Sequence, residues 1–172
     1  DCHDLIPEYM RFMRGVVDSE DLSLNISREI LQDNPIIRVI RRSTQRKVFA
    51  HLRKLLETDR TAYEKFWTAF GRVLKEGVVQ DREHAPAILE LSLFRSTAQE
   101  GWTTLSACRE RMKPDQEGIL CLAGRDIDAL RASPKLERLI EKGFEVLLMT
   151  DPVDEVILAE GLEFESVKLV NA

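Results

Sequence analysis

The chain has 172 residues, 44% hydrophobic and 32% charged, with a formal net charge of −5. That apolar content suffices for the core of one large domain or two small ones, while the acidic balance argues against bulk affinity for nucleic acid or an anionic membrane. Three cysteines, at 2, 108 and 121, are odd in number and lack ligand spacing, and no apolar run is long enough to span a bilayer; neither a disulfide framework, a zinc site nor a membrane helix is expected, and a reduced cytoplasmic setting fits.

Asp1-Cys2-His3-Asp4 sets a thiol beside an imidazole, yet neighbouring side chains in an extended segment point apart and no second ligand pair follows, so no metal site is expected. Pro7 suits the first turn of a short helix whose apolar face is Tyr9, Met10, Phe12 and Met13. Gly15-Val16-Val17 reads as a brief strand, and Asp18–Asn25 is too polar for buried regular structure and reads as a loop. The residues that follow allow two readings of Arg28. Ser27 can cap a helix with Glu29 at its positive end, leaving Arg28 solvated or paired with Asp18, Glu20 or Asp21. Alternatively Arg28, braced between loop and helix, is aimed outward at an anionic group. Asn34-Pro35 supplies a cap and a first-turn proline for the next helix.

From Ile36 to about Glu57, the residues Ile36, Ile37, Ile40, Val48, Leu52, Leu55 and Leu56 recur at helical spacing and predict an amphipathic helix of roughly 33 Å. Between residues 36 and 56 its other face carries Arg38, Arg41, Arg42, Arg46, Lys47, Arg53 and Lys54 without one acidic residue. The ordinary reading is a solvated face. The sharper one is a surface for nucleic acid or an acidic protein, weakened because Phe49 alone interleaves an aromatic ring. A second helix over about Arg60–Lys75 has Tyr63, Phe66, Trp67, Phe70, Val73 and Leu74 on one stripe, expected in the core, with Gly77 as its stop. A Glu-Thr-Asp link predicts a helical hairpin. A third helix is expected near Asp81–Leu91, with Pro86 in its first turn.

Beyond residue 90 the pattern changes. Leu91–Thr97, Gly118–Leu122, Phe144–Met149 and Glu165–Val170 are apolar runs of strand length, separated by helical segments near 104–112, 126–142 and 152–160. Ser133-Pro134 and Asp151-Pro152 start helices that Gly143 and Gly161 end. Alternating strands and helices imply a parallel or mixed sheet with helices packed on it. The expected fold is therefore α/β. Residues 1–34 end one α/β layer, 35–90 form the helical hairpin, and 91–172 form a small α/β/α layered subdomain. Gly124-Arg125-Asp126 is the one glycine-bearing strand-to-helix turn of interest, and it fits neither nucleotide-binding fingerprint. The opening at Asp1 and the close at Val170-Asn171-Ala172 lead us to expect a piece of a longer protein.

The run LIPEYMRFMRGVVDSEDLSLNISREILQ at 5–32 resembles the signature of the ninety-kilodalton heat-shock chaperone family, and nearly every position fits. KFWTAFGRVLKEGVVQD at 65–81, RMK at 111–113, SPKLERLIEKGFEVLLMTDPVDE at 133–155 and LEFE at 162–165 resemble that family in the same order. The match covers almost the whole chain and corresponds to the later part of the family's middle segment. It implies that Arg28 reaches the terminal phosphate of ATP bound in a preceding domain, with Asn25 and Gln32 shaping the loop or reaching toward the nucleotide. It further implies ATP with magnesium as the cofactor of the full-length protein, none being bound by this segment alone. The implied partners are client proteins, the N-terminal ATPase domain of the same chain, and a second copy through a C-terminal region. Alone, the segment is expected not to hydrolyse ATP; the full-length parent is expected to be an ATPase of the stress response. No membrane partner is implied, and nucleic acid is disfavoured, although a binding module using the 38–54 basic face is the alternative.

Two positions depart from the family pattern. Ser23 stands where the loop usually has proline, which frees φ and should loosen the segment before Asn25. Val156 stands where bacterial members resemble Asp-Glu-Trp, whose aromatic the resemblance implicates in holding clients. A weaker or relocated client contact near Glu155 and Val156 is therefore expected.

Overall fold

Pro7, with φ −64, leads into one turn of 3-10 helix at Glu8–Met10 that buries Tyr9 and Met10. These are the first elements of a computed structural model that describes residues 5–16 and 35–172. Phe12 and Met13 are only half-buried, because a single turn cannot present four apolar residues to one core. Residues 13–16 carry no regular structure, so the strand expected from Gly15 and Val16 is not formed there; Val16 is 95% exposed, with no apolar layer to reward pairing. Val17, the loop at 18–25, Asn25, Arg28 and Gln32 lie outside the described residues.

The chain divides into two compact units, residues 1–65 and 66–172. In the first, helix α1 (Pro35–Thr58) buries Ile37, Phe49 and Leu52. Gln45 shares that buried face at 3% exposure, and its Nε2 donates to the Tyr9 hydroxyl at 2.8 Å. The bond offsets the cost of desolvating both groups. Arg38, Arg42, Arg46, Lys47 and Lys54 are exposed on the outer face, while Arg41 and Arg53 are half-buried.

Asp59 alone separates α1 from α2 (Arg60–Gln80), a shorter link than the predicted Glu-Thr-Asp. Its N–H donates to the Leu55 carbonyl at 2.9 Å and its carboxylate accepts from the Ala62 N–H at 2.9 Å, so one residue closes the first helix and caps the second. Helix α2 runs past the predicted stop at Gly77. The Asp81 N–H still reaches the Gly77 carbonyl at 2.9 Å and Val78 is fully buried, which outweighs the roughly 1 kcal/mol that glycine costs inside a helix. Trp67 and Leu74 are core as predicted, whereas Phe70 is 40% exposed and Phe66 half-buried. Those two rings lie one turn apart and tilt against each other at 5.8 Å, packing locally at the margin of the stripe.

In the second unit α3 (Ala85–Leu91) begins later than predicted, because the Asp81 carboxylate accepts from the His84 backbone at 3.3 Å and meets its ring at 3.0 Å, holding residues 81–84 as a turn. There follow β1 (Leu93–Ser96), β2 (Thr103–Thr104), α4 (Leu105–Glu110), β3 (Ile119–Ala123), α5 (Ile127–Arg131), α6 (Pro134–Glu141), β4 (Val146–Met149), α7 (Pro152–Ala159), β5 (Glu163–Phe164) and β6 (Val167–Asn171). The six strands form one mixed sheet in the order β2-β1-β4-β3-β6-β5, parallel across β4-β3-β6 and antiparallel at both margins. The α/β class is as expected. The predicted strand over Glu165–Val170 is instead the second arm of a hairpin, because Glu165 and Ser166 take φ of 48° and 66° and turn the chain in two residues.

The two crossovers within the parallel set run in opposite directions: β3 to β4 through α5 and α6, then back across β3 to β6 through α7. Right-handed connections therefore place α5 and α6 on one face and α7 on the other. Leu130 and Leu136 from the first pair pack with Leu122, Val146 and Leu148 of the sheet. Leu147, Met149, Ile119 and Cys121 alternate to the opposite face and are equally buried.

Candidate functional site

Strand β4 is buried at all four positions, so the polar groups flanking it must find partners inside the fold. At its carboxyl end the chain turns through Thr150 and Asp151 into α7. Lys75, on the buried stripe of α2 and 3% exposed, places Nζ 2.6 Å from Asp151 Oδ2 and 3.0 Å from Asp154 Oδ1. Its ammonium also lies 4.8 Å from the Phe94 ring centre and 5.9 Å from that of Trp67, adding cation–π attraction. Asp154 is fully buried, and its Oδ2 accepts from the Asp151 N–H at 2.9 Å, which satisfies an exposed donor of the helix start. Its Oδ1 touches the ammonium without hydrogen-bond geometry. Burial pushes the Asp154 carboxyl above the usual carboxylate range, and Lys75 only partly opposes that shift.

The clamp fixes the residues that follow. Glu155 and Val156, the expected client-contact pair, both face outward from the first turn of α7, with Val156 42% exposed. Glu155 also lines a cavity of about 300 Å³ with Ala123, Leu158, Ala159 and Asn171, and is its only charged wall residue among the described residues. The cavity lies at the carboxyl ends of the neighbouring parallel strands β3 and β6, beside α7.

The other end of β4 carries a second ion pair, its carboxylate buried and its guanidinium partly exposed. Arg111 donates from Nε to Glu145 Oε2 and from Nη2 to Oε1, both at 2.8 Å, and Ser96 Oγ donates to Oε1 at 2.6 Å. Arg111 Nη2 also reaches Thr103 Oγ1 at 2.9 Å, tying β2 to the network. Burial opposes ionisation of Glu145, but the hydrogen bonds from Arg111 and Ser96 together outweigh it and hold the carboxyl below its usual range. Cys108 beside this network has its thiol pushed up to about 12, by burial first and by the Glu145 charge second. Burial also raises Cys121. Both are inert thiols at neutral pH.

Of the sequence-predicted site residues, Glu155 and Val156 are brought together on α7, while Arg28, Asn25 and Gln32 lie outside the described residues. The turn at Gly124 does not fit a phosphate: a Cβ there would sit 2.7 Å from Leu130, so the glycine serves strand-to-helix packing, and Asp126 caps α5 through the Asp128 and Ala129 N–H groups. Among the described residues no group of His, Cys, Asp and Glu could hold a metal ion, and no helix is long and apolar enough to cross a membrane. Sequence reasoning missed Lys75, although a lysine on the same stripe as Trp67, Leu74 and Val78 was the available signal. Glu145, placed just before an apolar strand, offered none.

Residues 1–172 match the family described as "Hsp90 protein". The chain is 50% identical over 155 residues to "Chaperone protein HtpG" of Paramagnetospirillum magneticum, covering 90% of this chain and 25% of that protein. It is 46% identical over 169 residues to the HtpG of Bdellovibrio bacteriovorus and 42% identical over 173 to that of Treponema pallidum, in each case covering 98% of this chain and 27% of the relative. The chain thus spans about a quarter of the length of these relatives.

Proposed function

The chain belongs to the Hsp90 protein family, and from that premise we propose that it acts as the later middle segment of an ATP-driven folding chaperone. The observation that carries the reading is the family match over the whole chain, which takes in the run at 15–32 holding Asn25, Arg28 and Gln32. In this reading Arg28 approaches the terminal phosphate of ATP held, with magnesium, by a preceding domain. ATP supplies the phosphoryl group whose transfer to water drives the cycle. The contribution of this chain is charge and position: a planar guanidinium can meet two phosphate oxygens at once, which a lysine cannot. In this reading Asn25 and Gln32 shape the loop that carries it or reach toward the nucleotide. An arginine in this role contributes about 10³–10⁵ in rate where chemistry limits turnover, and less where domain closure does.

The client surface in this proposal includes Glu155 and Val156, which the Lys75 clamp holds outward beside a partly apolar cavity. Residues 1–34, 35–90 and 91–172 act as loop-bearing layer, helical connector and client-facing subdomain. The remaining parts of the reading are a cytoplasmic setting and a homodimer formed through a C-terminal region.

The test is single-turnover ATP hydrolysis by the full-length protein, wild type against Arg28→Ala, with ATP affinity measured alongside. Hydrolysis should fall at least tenfold while ATP still binds. Unchanged hydrolysis would leave Arg28 a helix-start surface residue and turn attention to the basic face of α1.

A further inference from the structure

On the sheet margin away from Glu155, Arg95 of β1 is half-buried and lays its guanidinium 4.0 Å from the centre of the Trp102 ring. Apart from that ring, it has no carboxylate or carbonyl partner among the described residues. Stacking holds the guanidinium plane while leaving its edge donors free, the state in which arginine recognises a planar anion. Beside it lies a chamber of about 230 Å³ whose walls include Arg95, Trp102, Leu93, Ile127, Leu148 and the exposed Thr150. At roughly 30 Å³ per water that is room for roughly eight waters, or a ligand of under about ten heavy atoms. Lys75 and Asp151 also line it, and there one cation already serves two carboxylates. That cluster carries a net charge of −1 when ionised and repels multiply charged anions.

We propose that this chamber binds a small monocarboxylate with a compact apolar body. The carboxylate takes the edge donors of Arg95, with the Thr150 hydroxyl as a further donor. The apolar body rests on Leu93, Ile127 and Leu148. The acidic cluster penalises doubly charged hydrogen phosphate more than a monocarboxylate, and a neutral analogue leaves Arg95 without an acceptor. The site is separate from the cavity at Glu155 and does not depend on the role given to Arg28.

Benzoate is the probe. Titrated into the 172-residue chain, it should bind saturably by equilibrium dialysis and shift the tryptophan emission. Benzyl alcohol and inorganic phosphate should not compete at tenfold excess. Arg95→Ala should weaken binding at least tenfold, and Arg95→Lys, which keeps the charge but not the planar fork, should fall between. Trp102→Phe should retain binding but lose most of the emission change, which separates Trp102 from Trp67. A blocked Ala-Glu-Ala peptide, whose carboxylate is attached to a backbone too wide for the chamber, should not displace benzoate. Equal affinity for benzoate and benzyl alcohol would overturn the proposal, as would unchanged affinity in both Arg95 variants. Displacement by the blocked peptide at comparable concentration would equally overturn it, since the carboxylate would then be read on the surface.

Discussion

The two ends of β4 solve the same problem differently. Glu145, before the strand, has one carboxylate met by Arg111 and Ser96, so its charge is well served and its pKa falls. Asp154, after the strand, shares a single buried ammonium with Asp151, and one oxygen lacks a directed bond, so its pKa rises. Both place a buried carboxylate in an ion cluster on adjoining structure. The difference lies in the ratio of donors to charge, which decides whether burial or pairing wins. The Glu145 end stabilises the fold through its charge, whereas the Asp154 end is held by geometry and is sensitive to losing its only cation.

The largest effect should come from breaking the poorer cluster. Lys75→Met removes the one cation between two carboxylates, of which Asp154 is fully buried, and should cost about 3–5 kcal/mol. In a chain of this size that is a drop in Tm of roughly 6–20 °C, measured by thermal melting at neutral pH. Lys75→Met combined with Asp154→Asn should recover part of the loss, since an amide needs no counter-charge. A double variant no more stable than the single one would mean that Lys75 acts through packing alone.

Arg111→Met should cost less, about 2 kcal/mol, because Arg111 is partly exposed and Ser96 still serves Glu145. Its signature is in the pH dependence. A depressed native carboxyl pKa contributes stability above the unfolded value, about 4.3, that is lost as pH falls through the lower native value. Arg111→Met should flatten that acid limb. The raised pKa of Asp154 has the opposite sign: its native state holds a proton longer than the unfolded chain, so stability falls as pH rises from about 3.9 through the native value. In Asp154→Asn this opposing slope should vanish, and urea midpoints taken from pH 3 to 7 would resolve both.

A smaller signal concerns the thiol beside the Glu145 network. With Cys108 pushed up to about 12, the folded chain should leave it unlabelled by iodoacetamide at pH 7.5, where a free thiol near 8.5 reacts. Mass mapping of the labelled positions would show this. Labelling of Cys108 at the rate of a denatured control would contradict the burial.

Much of this architecture was readable beforehand. Hydrophobic periodicity located every helix of the described residues, and the cap pairs Ser133-Pro134 and Asp151-Pro152 placed two helix starts at the correct residue. Several of the misses share a cause: they were decided by contacts distant in sequence. Gly77 reads as a stop until the neighbouring Val78 is seen to be buried, and Thr103–Thr104 becomes a strand only because β1 lies beside it. The hairpin at Glu165–Ser166 needed two positive φ angles at residues not specialised for them. Glu155 and Val156 entered the candidate site through the family resemblance alone. The clamp behind them was not, because Lys75 meets Asp151 and Asp154 across more than seventy residues.

That clamp also bears on the smallest effect expected. Asp154 points inward and is fully buried, while the next two residues, Glu155 and Val156, emerge from the same turn to the outside. The backbone there is fixed by Asp154 accepting from the Asp151 N–H, so a substitution at 156 changes the surface without moving the helix start. Val156→Trp adds an aromatic face beside the Glu155 cavity and should tighten binding of an unfolded client by about 1 kcal/mol, roughly fivefold. Fluorescence anisotropy with a labelled, permanently unfolded protein would measure it. Melting temperature should stay within about 2 °C of the parent, since an exposed change away from the core seldom costs more than about 0.5 kcal/mol. If affinity does not change while the fold is intact, this face of α7 is not where clients are held. If it tightens only when Lys75 is present, the clamp is what aims the surface, and the two ends of β4 differ in purpose as well as in pH response.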